Sequence, residues 1–414
     1  MIPHNSFSAL KIKDIQLFIG STGFFTLASR ALAVVIGFQI YKITHNPLSL
    51  GWLGLVEAIP AISLVLFGGW VADHFNRRRI LLTTRMASLI CALTLAFLSQ
   101  GQQQTNLLGL YGIIFLAGIA RGFADPANTA FEAQVVPKHL TVSATSWISS
   151  SWISCSVIGP ALIGFVFDAK GAVGCYILIA VWFLLSWICM LLIGSKPQPV
   201  LDRKEPITKS ISLGWKFVFN HQPLIGAMAL DLFAVLFGGM IALLPVFAQD
   251  ILHVGASGLG FLNAAPSLGA LIIMLYATRH PPIEHAGRNL FLTVTGFGVS
   301  ILIFAFSTHF WLSISALFLS GVFDGVSMVI RRSMVRLLSP DEMRGRISSV
   351  SWIFICASNE LGAFESGMVA GLIGTVPCVW VGGIITLGVV AVTAVLTPQL
   401  RQLKFDPHSL EHKK

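Results

Sequence analysis

The sequence predicts an all-α membrane protein that crosses a bilayer twelve times, in two six-helix halves. Three observations carry that reading: a dozen long apolar stretches, positive charge gathered on the loops at one side of them, and a six-span unit that repeats. About 20 apolar residues span a bilayer's hydrocarbon core. Such stretches lie at 16–41, 49–72, 80–99, 105–130, 142–168, 172–194, 223–249, 256–278, 288–307, 309–332, 347–373 and 376–397. With 55% of residues hydrophobic and 11% charged, a water-soluble core is excluded.

The first span follows a polar segment that ends near Asp14 and lacks a small-residue cleavage site, so it reads as a retained helix. If both termini face the cytoplasm, the inner side holds Lys11, Lys13, Arg77, Arg78, Arg79, Arg85 and Lys138 in the first half. In the second half and linker it holds Lys196, Arg203, Lys204, Lys209, Lys216, Arg279, Arg288, Arg331, Arg332, Arg336, Arg344, Arg346, Arg401, Lys404, Lys413 and Lys414. Lys42 and Lys170 fall outside, and Arg30 and Arg121 lie within spans. Short-loop asymmetry of this kind sets orientation. The net charge of +9 therefore reflects insertion rather than binding of nucleic acid.

Spans six and seven are separated by a polar stretch marked by Pro197, Pro199 and Pro206. The expected organisation is a half at 1–194, a cytoplasmic linker at 195–222, and a half at 223–414 with a short cytoplasmic tail. The halves match at a shift of about 203 residues. Leu116-x-Gly118-x-x-Arg121-Gly122 recurs as Leu319-x-Gly321-x-x-Asp324-Gly325. Pro137, Gly159, Gly164, Gly171 and Cys175 map to Pro340, Gly362, Gly367, Gly374 and Cys378. In span two, Gly54, Ala58 and Pro60 map to Gly260, Ala264 and Pro266. A six-span unit carried onto a six-span unit keeps its orientation, so the copies are expected about an axis along the membrane normal.

The segment Gly69-Trp70-Val71-Ala72-Asp73-His74-Phe75-Asn76-Arg77-Arg78-Arg79 follows span two. It resembles the loop 2–3 signature of the major facilitator superfamily, Gly-x-x-x-Asp-Arg-x-Gly-Arg-Arg. The resemblance implies an inner gate: Gly69 for close helix approach, Asp73 at the start of span eleven, and Arg77 and Arg78 as the lock. His74 and Asn76 depart from the pattern, though asparagine tolerates a left-handed turn. Arg121-Gly122 is similar to the family's span-four arginine motif, and Gly159-Pro160-Ala161-Leu162-Ile163-Gly164 to its antiporter motif. Asp231-Leu232-Phe233, Leu244 to Ala248, Asn263 to Pro266 and Pro340 to Ile347 resemble the branch of enterobactin exporters and transmembrane secretion effectors.

Ionisable residues deep in spans are costly unless paired or wetted, which makes each a functional candidate. They are Arg30, Glu57, Arg121, Asp125, Asp231, Asp324, Glu360 and Glu365. The resemblance implies that spans one, four, seven and ten line a central cavity. Asp231 is the expected proton carrier, having no basic residue close by in sequence. Glu360 and Glu365 flank Gly362 and either sense protons or hold span eleven against span five. Glu57 is a cavity candidate or an acceptor facing span eight. Arg121 pairs with Asp125 four residues on, or with Asp324 across the cavity as part of the inner gate. The pocket candidates are Arg30, Gln39, Glu57, Phe233, Phe237 and Asn263, with Phe24, Phe25 and Phe38 beside them.

Six scattered cysteines and eleven histidines offer no metal-ligand spacing, and no phosphate-binding Gly-x-x-x-x-Gly-Lys-Ser/Thr occurs. No enzyme activity, metal or cofactor is expected. The expected function is secondary active transport across a bacterial inner membrane, by a monomer whose partners are a small molecule, protons and lipid. Export of a siderophore or other amphipathic compound by proton antiport leads. Import of a siderophore or nutrient, and lysophospholipid flipping, remain as alternatives with the same fold.

Overall fold

The computed structural model describes residues 9–100, 106–196, 207–280, 282–340 and 343–405. The described residues form helices and no strands. The helices are α1 (Lys13–Thr44), α2 (Pro47–His74), α3 (Arg77–Leu98), α4 (Leu107–Val135), α5 (Thr141–Leu192), α6 (Ile207–Asn220) and α7 (Gln222–Phe237). They continue as α8 (Gly255–Arg279), α9 (Ala286–Ala305), α10 (Phe310–Leu338), α11 (Arg344–Ile373) and α12 (Thr375–Leu396). Among the described residues, ten segments are long and apolar enough to cross a bilayer. One of them lies within α5, whose 52 residues turn at Gly171, where φ is +66°. At 1.5 Å per residue that helix is about 78 Å long, enough for two crossings. The 30-residue α11 carries Glu360 and Glu365 and stands outside those ten.

The repeat is visible in local geometry. Gly171 and Gly374 both turn the chain with positive φ, at +66° and +93°, a region that glycine enters without steric cost. Cys175 Sγ contacts Ile163 O at 3.6 Å and Cys378 Sγ contacts Ser366 O at 3.4 Å, again 203 residues apart. A Cβ on Gly118 would fall 2.5 Å from Glu57 O and 2.8 Å from Pro60 Cγ, and one on Gly321 would strike Pro266 O. Small residues at these places let α4 run against α2, and α10 against α8. Gly321→Leu is therefore expected to destabilise by about 1–3 kcal/mol through overpacking, read as a lower midpoint in thermal unfolding of purified protein. An unchanged midpoint would mean that the helices separate freely there.

Two compact units form. The first comprises Met1–His45, Trp52–Leu201 and His253–Ala264; the second comprises Asn46–Gly51, Asp202–Leu252 and Ala265–Lys414. Their bounds differ from the expected halves at Asn46–Gly51 and His253–Ala264. Gly51 and Gly367 meet backbone to backbone within the second unit. In the first, Asp168 Oδ2 accepts the Ser257 N–H at 3.1 Å, and Gly260 packs on Pro160. The expected linker is not wholly irregular. Residues 197–206 lie outside the described residues, but α6 occupies 207–220, with Val218 buried beside Met228, Ile347 and Val350. Trp215 packs against Phe354, ring centroids 5.7 Å apart.

Span seven is interrupted. α7 ends at Phe237, Gly238 and Gly239 follow, and the chain resumes as a 3₁₀ turn at Met240–Leu243 and a π turn at Phe247–Ile251. Breaks of this kind mark functional stretches of transporter helices, because they free backbone groups inside the protein.

Candidate functional site

In the first unit the charged centre is Arg121. The glycine contacts that draw α4 onto α2 bring its Nη1 to 3.0 Å from Glu57 Oε1, and its Nε lies 3.7 Å from Asp125 Oδ2. All three side chains are more than a third exposed, so water screens the pairs and limits their contribution to stability. Arg30 on α1 lies within electrostatic reach of Asp125 and stacks over the Trp152 ring at 5.6 Å. Two guanidiniums, two carboxylates and an indole thus gather on α1, α2, α4 and α5. A surface of this kind combines fixed charge of both signs with an aromatic face.

The second unit holds a tighter cluster. Asp231 on α7 is 7% exposed and pairs with Arg331 Nη1 on α10. Arg331 Nη2 also reaches Asp324 Oδ1 at 3.5 Å, and its Nε donates to Ser327 O at 3.3 Å. Asp324 and Arg331 are seven residues apart, two helical turns, so both face α7. This corrects the setting expected for Asp231: its base comes from another helix. Arg121 and Asp324 each have a partner inside their own unit. Arg331, read from the sequence as an inner-loop charge, is largely enclosed among helices, its side chain 13% exposed.

Around the end of α2, Arg77 is 8% exposed and donates to Ala72 O at 2.9 Å, Ala130 O at 3.1 Å and Asp73 Oδ1 at 3.4 Å. Arg78 donates to Leu191 O at 2.7 Å. These arginines therefore tie helix ends together within the first unit. Asp73 was expected at the start of span eleven, where residues 341–342 and the side chains of 344–346 lie outside the described residues. Among the described residues no atom lies within 4 Å of where a Cβ on Gly69 would stand, and Gly68 packs closely on Gly122. Asn76 adopts φ −65° rather than a left-handed turn and caps α3 by accepting the Arg79 N–H at 3.2 Å.

The remaining pocket candidates scatter. Gln39 is buried in a knot, accepting from Tyr176 Oη at 2.5 Å and donating to Ser99 Oγ at 2.9 Å. Asn263 donates to Leu259 O of its own helix at 3.0 Å. Phe233 and Phe237 stack with centroids 6.4 Å apart, and Phe233 is exposed. Glu57 meets Arg121 rather than span eight. On α11, Glu360 and Glu365 are both half-buried. Glu365 has Ser366 Oγ at 3.5 Å and forms no ion pair with a described base.

Two residues escaped sequence reasoning. Arg85 is 2% exposed, held by Ser186 Oγ at 2.6 Å and Asn128 Oδ1 at 3.4 Å under the Phe25 ring. Trp152, one of ten tryptophans, carried no sequence signal beyond its place in span five.

Two units of packed spans, each with a charged cluster between helices, define a polytopic membrane transporter fold. The model of the Major Facilitator Superfamily matches residues 18–280. The chain belongs to that superfamily, as its loop 2–3 segment suggested. Among similar proteins are the enterobactin exporter EntS of Escherichia coli O1:K1 / APEC and that of Shigella boydii serotype 18 (strain CDC 3083-94 / BS512). Each is 23% identical over 376 residues, covering 91% of this chain and 90% of the relative. A POT family transporter in complex with 5-aminolevulinic acid has a similar fold, with a TM-score of 0.74 at 13% identity, over 93% of this chain and 96% of that one. So has a bacterial homolog of the human lysosomal transporter Spinster, with a TM-score of 0.74 at 12% identity, over 96% and 99% of the two chains.

Proposed function

We propose that this protein exports an amphipathic small molecule of the siderophore type across the bacterial inner membrane, with both termini in the cytoplasm, in exchange for protons. The export reading is supported by relatives named as enterobactin exporters along 91% of the chain. Orientation follows from the one-sided placement of Lys and Arg. The Arg30, Trp152, Arg121 and Glu57 surface suits a cargo that is both aromatic and polar, and Gly159-Pro160 in α5 matches the antiporter motif. Asp73, Arg77 and Arg78 act as the inner gate by fixing the helix ends that move together.

The observation that carries the coupling scheme is the contrast between two acids. Asp231 is committed to Arg331, whereas Glu365 faces a serine hydroxyl and no described base. An acid without a fixed counter-charge can gain and lose a proton without breaking an ion pair. Glu365 is therefore the proton carrier, with Glu360 five residues earlier on α11. The test uses proteoliposomes and enterobactin as the cargo. Glu365→Gln should abolish movement driven by a pH gradient while leaving enterobactin exchange at equal pH intact. Full gradient-driven movement in that variant would remove Glu365 from the mechanism. Absence of any enterobactin movement by the wild-type protein would overturn the substrate class.

A further inference from the structure

The Asp231–Arg331–Asp324 cluster borders a narrow cleft whose lining includes Asp231, Thr293, Phe297, Phe323, Asp324 and Ser327. Arg331 engages one oxygen of each carboxylate: Oδ2 of Asp231 and Oδ1 of Asp324. Oδ1 of Asp231 and Oδ2 of Asp324 have no hydrogen-bond donor among the described residues. Ser327 lies one turn beyond Asp324 on α10, lines the same cleft and is 3% exposed. Its Oγ has no hydrogen-bond partner.

A buried hydroxyl left unpaired costs free energy, and such groups commonly mark the place of a water or an ion. Two carboxylates against one guanidinium also leave one negative charge in excess. Arg332, the other cation acting on Asp324, is exposed, so its field is screened by water. Two carboxylate oxygens and a hydroxyl form a hard-oxygen set, the kind taken by alkali and alkaline-earth cations. One unit of excess charge favours a monovalent ion over a divalent one. Among monovalent ions, strongly polar oxygens favour sodium over the larger potassium. Asp324, 37% exposed, gives the ion a route in from solvent.

We propose that this cleft binds a sodium ion through Asp231, Asp324 and Ser327, with water completing its coordination. The inference needs neither the direction of transport nor the cargo, and a negative result with Glu365→Gln would leave it standing.

The experiment follows thermal unfolding of the purified full-length protein in detergent, with sodium chloride replaced by potassium or choline chloride at constant ionic strength. Direct binding of radioactive sodium is measured beside it. A ligand bound only by the folded state stabilises it by RT ln(1 + L/Kd), L being the free ligand concentration, so the midpoint climbs with the logarithm of L above Kd. Sodium should raise the midpoint in this way and bound radioactive sodium should saturate, whereas potassium and choline should leave the midpoint unmoved. Ser327→Ala should weaken the apparent sodium affinity by about tenfold while leaving the midpoint in choline unchanged. Asp324→Asn should remove the sodium response. No sodium-specific shift and no bound radioactive sodium would overturn the proposal. So would a response that follows pH alone, or one that persists undiminished in Ser327→Ala.

Discussion

Arg331→Ala should be the most damaging single substitution in the second unit, lowering stability by about 3–5 kcal/mol and stopping transport. The guanidinium lies between Asp231 and Asp324, and its removal leaves the Asp231 carboxylate, only 9% exposed, without a counter-charge. Solvent screening offers little relief at that exposure. The double variant Asp231→Ala with Arg331→Ala should be more stable than Arg331→Ala alone, because no isolated charge remains buried. Thermal unfolding of the wild type, both single variants and the double variant gives the coupling energy directly. If the two single losses simply add, the pair is not an energetic unit.

Arg121→Glu should reduce enterobactin transport by at least about tenfold, the equivalent of roughly 1.4 kcal/mol. The substitution places a third carboxylate beside Glu57 and Asp125, so the cluster repels itself. Combining it with Glu57→Arg should restore much of the loss, since the 3.0 Å pair re-forms with its charges exchanged. Combining it with Asp324→Arg should restore nothing, and should add the cost of setting a new cation against Arg331. Rescue by Asp324→Arg would favour a state of the transporter in which Arg121 and Asp324 are partners. The effect on stability should be smaller than that on transport, because these side chains are partly solvated.

The two clusters differ in how far sequence could reach them. Arg121 and Asp125 are four residues apart on one helix, and that spacing alone predicts their contact. Asp231 and Arg331 are 100 residues apart. Their meeting depends on how α7 and α10 are rotated about their own axes, where a shift of one residue turns a side chain by about 100°. Gln39 shows the same limit: its polar side chain suggested a pocket, but packing placed Tyr176 and Ser99 around it. The two adjacent glycines at the end of α2 show the same limit. Which of two adjacent glycines faces α4 is decided by helix rotation, and Gly68 does.

The sequence by itself determined the membrane class and the repeat, and it set the expected spans and orientation. Each follows from local chemistry: the apolar length needed to cross a bilayer, the placement of Lys and Arg, and glycines that turn or let helices touch. Gly171 and Gly374, and Cys175 and Cys378, therefore behave in the structure as paired positions. Only the tertiary structure decided the partners of the buried charges. It set Arg331 between Asp231 and Asp324, buried Arg85 among serine, asparagine and phenylalanine, and left Ser327 Oγ buried without a hydrogen-bond partner among the described residues. Inside spans the drive to satisfy a charge is strong but does not select a partner, and helix packing makes that selection.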